Sequence, residues 1–166
     1  MPEKKEIVIN TGPLLSLIAA TGNLLILREL NYEVWVPYEV VQEMEMGGQS
    51  GFGLSQFHAA TWLKKTSSST PISPFLANVL DRGEASVIQL ALDKHIPTVC
   101  IDETVGRRIA RLSNLQVTGS IGILVRAKKE GILPSLKEAL KKLEDHGIWV
   151  SATVITAALR EAGEEL

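Results

Sequence analysis

The chain has a single cysteine, Cys100, among 166 residues, so no disulfide can close within it and it suits a reducing compartment. That cysteine lies in the apolar run Thr98-Val99-Cys100-Ile101, which assigns it to the core rather than to nucleophilic chemistry. No segment approaches the roughly 20 apolar residues that span a bilayer. Met1 to Glu6 leads straight into a strand without a signal-peptide pattern, so a cytoplasmic protein without membrane association is expected. Also missing is a Gly-x-x-x-x-Gly-Lys-Ser/Thr loop for nucleotide phosphates, and the glycines of Gly47 to Gly53 lack the strand-loop-helix context of a dinucleotide fingerprint. His58, His95 and His146 have no metal-ligand spacing to one another or to Cys100. Ser113, Ser120 and Ser151 sit in no Gly-x-Ser-x-Gly elbow.

What is present is an ordinary globular composition, 45% hydrophobic and 22% charged, of a length that suits one domain over residues 1–166. The net charge of -2 is uninformative, but its distribution is not. Arg107, Arg108, Arg111, Arg126, Lys128, Lys129, Lys137, Lys141 and Lys142 crowd the second half. A basic face beside an acidic metal pocket would suit a phosphodiester substrate, although each residue taken alone reads as a solvated helix position.

Ile7-Val8-Ile9 and Thr98 to Ile101 are short β-branched apolar runs, the pattern of strands buried on both faces. Val34 to Val36 and Gln116 to Thr118 read as further strands, Trp62-Leu63 as a minor one, and Gly47 to Gly53, with four glycines, as a mobile surface loop. Helices are predicted after Pro13, over Leu24 to Leu30 with Asn23 as cap, and after Pro37. Others are predicted over Phe75 to Leu80, Gly83 to Leu92, Glu103 to Leu112, Ile121 to Glu130, Leu136 to Leu143, and from Ser151 through Leu159. Strands alternating with helices imply a parallel sheet covered on both faces, with its working crevice beyond the strands' carboxyl ends. Asn10 and Asp102 both fall there.

Four positions, Asn10, Glu43, Glu84 and Asp102, could thus meet at one sheet edge. Each has an ordinary reading. Asp102 suits an N-cap and Glu103 a first-turn acid; Asp81-Arg82-Gly83-Glu84 suits a capping box. Glu43 suits a solvated helix face, and Asn10 a turn residue bonding its own backbone. Together they suit a hard-cation site, because clustered carboxylates repel one another unless an ion offsets their charge. Such a site supports metal-assisted hydrolysis.

The blocks around these residues resemble those of PIN domains. Ile7-Val8-Ile9-Asn10-Thr11-Gly12-Pro13-Leu14-Leu15 is similar to their opening strand and turn, where aspartate is usual in place of Asn10. Val36-Pro37-Tyr38-Glu39-Val40-Val41-Gln42-Glu43 resembles the helix carrying their second acid, and Asp81-Arg82-Gly83-Glu84-Ala85 the start of the helix carrying the third. Cys100-Ile101-Asp102-Glu103 with Arg107-Arg108-Ile109-Ala110 is similar to the fourth block. Val117-Thr118-Gly119-Ser120-Ile121-Gly122-Ile123-Leu124 resembles the last strand and helix of a prokaryotic branch akin to VapC toxins.

The resemblance implies a three-layer α/β/α sandwich around a central parallel sheet, and Mg2+- or Mn2+-dependent cleavage of single-stranded RNA. It also implies a homodimer and a small antitoxin partner. By the same resemblance the metal site is Asn10, Glu43, Glu84 and Asp102 with Glu103 as auxiliary acid, the three carboxylates being the catalytic set. Thr11, Arg107, Arg108 and Ser120 are the substrate-side residues, Thr11 through a metal-bound water and Ser120 through a helix start facing a phosphate. Asparagine at position 10 keeps an oxygen ligand but removes one negative charge and any capacity to act as a base. Two outcomes stay open: an active nuclease of lowered metal affinity, or a degenerate fold that binds RNA or a protein without cleavage. A receiver-like or phosphatase-like domain with a phosphorylated aspartate is disfavoured, because no aspartate follows the first strand directly.

Overall fold

The computed structural model describes residues 4–47 and 50–165. Met1 to Glu3, at the expected lead into the first strand, and Gly48 and Gln49, inside the expected Gly47–Gly53 loop, lie outside the described residues, as does Leu166.

Five strands, β1 (Lys5–Ile9), β2 (Tyr32–Val36), β3 (Lys64–Lys65), β4 (Thr98–Cys100) and β5 (Gln116–Thr118), form one sheet in the order β3-β2-β1-β4-β5. All neighbouring pairs are parallel. Ile7, Val8 and Ile9 of the central strand are fully buried, as both-face coverage demands. The minor strand lies two residues beyond its expected place: Trp62-Leu63 forms the turn, and Lys64-Lys65 pairs with Trp35 and Val36. A two-residue edge carrying lysines blunts that side of the sheet against further pairing.

Ten helices are described: α1 (Thr11–Thr21), α2 (Leu25–Glu29), α3 (Tyr38–Met46), α4 (Leu54–Ala59), α5 (Pro74–Val79), α6 (Arg82–Lys94), α7 (Thr104–Leu112), α8 (Ser120–Lys129), α9 (Leu136–Asp145) and α10 (Ala152–Glu161). Helix α1 packs on α8 and α9, which α10 also meets. In a second group, α6 packs on α3, α5 and α7 and lies against β1 and β4. The helices flank the parallel sheet in the expected three-layer arrangement. Pro13 sits in the first turn of α1, where its missing N–H costs nothing, and Gly22 ends that helix at φ 88°. Helix α4 was not anticipated; it follows the glycine-rich segment directly and buries its own Phe57. None of the described helices is long and apolar enough to cross a membrane.

From β1 the chain winds outward through β2 to β3, then returns to β4 on the other side of β1. The strand order therefore reverses between β1 and β4, which opens a crevice at their carboxyl ends. The Asn10 amide donates to the Cys100 carbonyl at 3.1 Å, joining the two strand ends, and the Ile101 amide donates to Thr118 at 3.0 Å.

Candidate metal centre

Asn10 follows β1 as the extended N-cap residue of α1, yet its side chain makes no capping bond to that helix. The self-bonding turn expected of an asparagine here is therefore absent. The residue is 7% exposed, and its amide lines the crevice.

Glu43 comes from α3 and is exposed, but it is not merely solvated. The Thr11 hydroxyl donates to its Oε2 at 2.8 Å, so Thr11, expected to meet a metal-bound water, orients a carboxylate instead. Gly83 of α6 makes room for the same side chain: a Cβ at that position would stand 2.2 Å from Glu43 Oε1. Bare backbone at Gly83 is what lets α3 bring its acid against the start of α6.

Glu84, the next residue, is 7% exposed. The expected capping box is present: Asp81 Oδ1 accepts from the Glu84 amide at 2.8 Å, and the Glu84 carboxyl accepts from the Asp81 backbone. The Glu84 carboxyl also lies against α7, where a Cβ on Gly106 would stand 3.2 Å from its Oε1. Its pKa is raised from 4.5 to about 7, first by burial, then by the charge of Asp81 and a carboxyl–carboxyl hydrogen bond to it, with Glu103 a lesser contributor; a hydrogen bond from the Asp81 backbone acts the other way. A buried carboxyl crowded by two others takes up a cation or a proton readily.

Asp102 does not cap the helix that follows it. Its Oδ1 accepts from the Ser120 amide at 2.8 Å and its Oδ2 from the Ser120 hydroxyl at 2.9 Å. Both donors belong to the first residue of α8, so the carboxylate serves the N-terminus of a distant helix. Ser120, expected to face a substrate phosphate, is 3% exposed and spends both groups on Asp102. Gly119 leaves space for the arrangement, since a Cβ there would come within 2.8 Å of Asp102 Oδ1. Arg107 is half-buried and donates to the Ile101 carbonyl at 2.8 Å, which steadies the turn carrying Asp102; Arg108 is exposed. Glu103, also exposed, is the extended residue before α7 and makes no capping bond.

Asn10, Glu43, Glu84, Asp102 and Glu103 all line one cleft of about 530 Å³, together with Thr11 and Asp81. The four positions proposed from sequence thus meet in one place. The donors are hard oxygens, carboxylate and amide, which suit Mg2+ or Mn2+ and not a thiophilic ion. By donor type the residues fit such an ion. Among the described residues, however, no three acidic, histidine or cysteine side chains stand close enough together to hold a metal ion. Each carboxyl is held by its own neighbour: Thr11 for Glu43, Asp81 for Glu84 and Ser120 for Asp102.

The expected basic face is dispersed over several helices. Arg126 is tied to Glu130 and Tyr32, Lys128 to Pro134 and Glu164, and Lys141 to Asp145. No lysine or arginine is among the described residues lining the acid cleft. Three residues of the site escaped the sequence reading: Gly83, Gly106 and Gly119, each of which gives one carboxylate its room. Two of them stood inside blocks already singled out, so the signal was available in Gly83-Glu84 and Gly119-Ser120.

A family model described as a PIN domain matches residues 6–164, nearly the whole chain. No curated protein matches the sequence.

Proposed function

Because the chain belongs to the PIN-domain family, and so to a group of nuclease type in general, we propose that it is a Mg2+- or Mn2+-dependent ribonuclease that hydrolyses single-stranded RNA. The observation that carries this reading is the meeting of Asn10, Glu43, Glu84 and Asp102 in one cleft at the switch point between β1 and β4. A divalent ion held by these four would activate water and offset the charge that develops on a phosphate. The rest falls to the chain itself. Thr11 fixes the direction of the Glu43 carboxylate, and Ser120 that of Asp102, so that both oxygen pairs are positioned before substrate arrives. Glu103 stands exposed beside them as an auxiliary acid. Asn10 supplies an oxygen but can accept no proton, so acid–base work is left to the three carboxylates.

The test is cleavage of single-stranded RNA with added Mg2+ or Mn2+, by this protein and by Asp102→Asn. Equal cleavage by both would refute the assignment. The neutral residue at position 10 favours one rival, a fold that keeps RNA or protein binding but has lost cleavage. Asn10→Asp separates the two: nuclease activity that appears only in the variant identifies the natural protein as a degenerate binder. The proposal extends to a cytoplasmic homodimer acting as the toxin beside a small antitoxin. Co-purification with the product of an adjacent short reading frame would test that part.

A further inference from the structure

Trp149 is 85% exposed, an unusual state for the largest apolar side chain unless something covers it. It lies on the connection between α9 and α10, at the side of a groove of about 880 Å³ that opens into the acid cleft. The two depressions share Gly12, Leu15, Asp102, Glu103 and Thr104, so a polymer seated in one continues into the other. Within the groove the rings of Phe52 and His146 lie 5.1 Å apart at 41°. His146 is fixed by a bond from Nδ1 to the Lys142 carbonyl at 2.8 Å; a carbonyl only accepts, so Nδ1 carries the proton.

We propose that this groove is a base-stacking subsite for single-stranded nucleic acid, with Trp149 as its platform beside a Phe52–His146 pair. The proposal rests on the nuclease reading for the direction of the strand: a phosphate among the carboxylates places the neighbouring base in the groove. Without a cation, Asp102 and Glu103 at the junction repel any phosphate, so it is the bases and not the strand's charge that the groove holds. No lysine or arginine is among the described residues lining the groove, so affinity there comes from stacking and not from phosphate pairing. Its contribution should therefore change little with salt.

The experiment uses the full chain in EDTA, which separates binding from cleavage, and a labelled oligoadenylate of roughly eight nucleotides, within the usual span of such sites. Stacking on one aromatic is worth ~1–3 kcal/mol per base, so Trp149→Ala should weaken binding at least about fivefold, equally at low and moderate salt. Trp149→Phe, which keeps an aromatic face, should lose less than about threefold on the same scale. An abasic strand should bind the parent and Trp149→Ala alike. Trp35 and Trp62 are half-buried, so oligoadenylate should quench tryptophan emission in the parent and not in Trp149→Phe. In cleavage with Mg2+, Trp149→Ala should raise KM and leave kcat unchanged. Unchanged affinity for oligoadenylate in Trp149→Ala overturns the proposal. So does loss of self-association in that variant with RNA affinity intact, which would assign the face to a second copy. Binding through Trp149 without any cleavage sinks the nuclease reading and leaves the subsite standing; cleavage with the same KM in Trp149→Ala does the reverse.

Discussion

Replacing Glu84 by glutamine tests the electrostatics of the cleft without needing a substrate. The native protein holds this carboxyl at a pKa of about 7 against 4.5 in the unfolded chain, chiefly through burial and then through Asp81. A raised acid pKa means the folded state binds the proton more tightly. Stability from this group is fully present below pH 4.5 and is lost as pH rises toward 7. At 1.36 kcal/mol per pKa unit, ionising Glu84 in the metal-free protein costs about 3 kcal/mol. Glutamine keeps the shape and has nothing to ionise. Glu84→Gln should therefore match the parent near pH 4.5 and exceed it by up to about 3 kcal/mol at pH 8, on the order of 6–12 °C in Tm for a chain of this length. Urea unfolding at both pH values, with EDTA, reads the double difference and cancels groups common to the two proteins. Mn2+ should then stabilise the parent at pH 8 and do much less for the variant, since the ion offsets the charge that Glu84 carries there. A variant no more stable than the parent at pH 8 would refute the reasoning.

Gly83→Ala should separate stability from chemistry. The new Cβ would stand 2.2 Å from Glu43 Oε1, so the flexible carboxylate must swing away. Alanine's helix preference, worth up to ~1 kcal/mol, should hold Tm level or raise it, while Mn2+ affinity by calorimetry falls by roughly tenfold or more. Ser120→Ala removes the hydroxyl that donates to Asp102 and leaves the backbone donor. It should cost about 1 kcal/mol in unfolding free energy and lower kcat in RNA cleavage more than it raises KM. Asn10→Asp adds a sixth acid to a cleft already lined by Glu43, Asp81, Glu84, Asp102 and Glu103; thermal scans should show a less stable metal-free protein and a larger gain in Tm on adding Mn2+ than the parent shows.

Much of the architecture could be read from local pattern. Ile7-Val8-Ile9 and Thr98 to Ile101 are continuous apolar runs because strands covered on both faces admit no polar alternation, and both are strands. Asp81 and Ser151 cap their helices as short-range hydrogen bonding requires. Trp62-Leu63 misled, because an apolar pair packs as well in a turn as in a two-residue edge strand. Helix α4 follows directly on Gly51-Phe52-Gly53, whose glycines drew the reading toward loop.

The order of residues along the chain determined which side chains could reach the switch point, since a polar residue just beyond a buried parallel strand has one place to go. Asn10 and Asp102 are of this kind. What Asp102 and Thr11 would hold there was decided only by the tertiary structure. Ser120 lies eighteen positions from Asp102 and Glu43 thirty-two from Thr11, so neither bond leaves a local signature. The space for each carboxylate is likewise an absence on another helix, at Gly83, Gly106 and Gly119. Hydrophobic periodicity records which face of an element is buried; which atoms meet across two packed elements is settled when the helices dock.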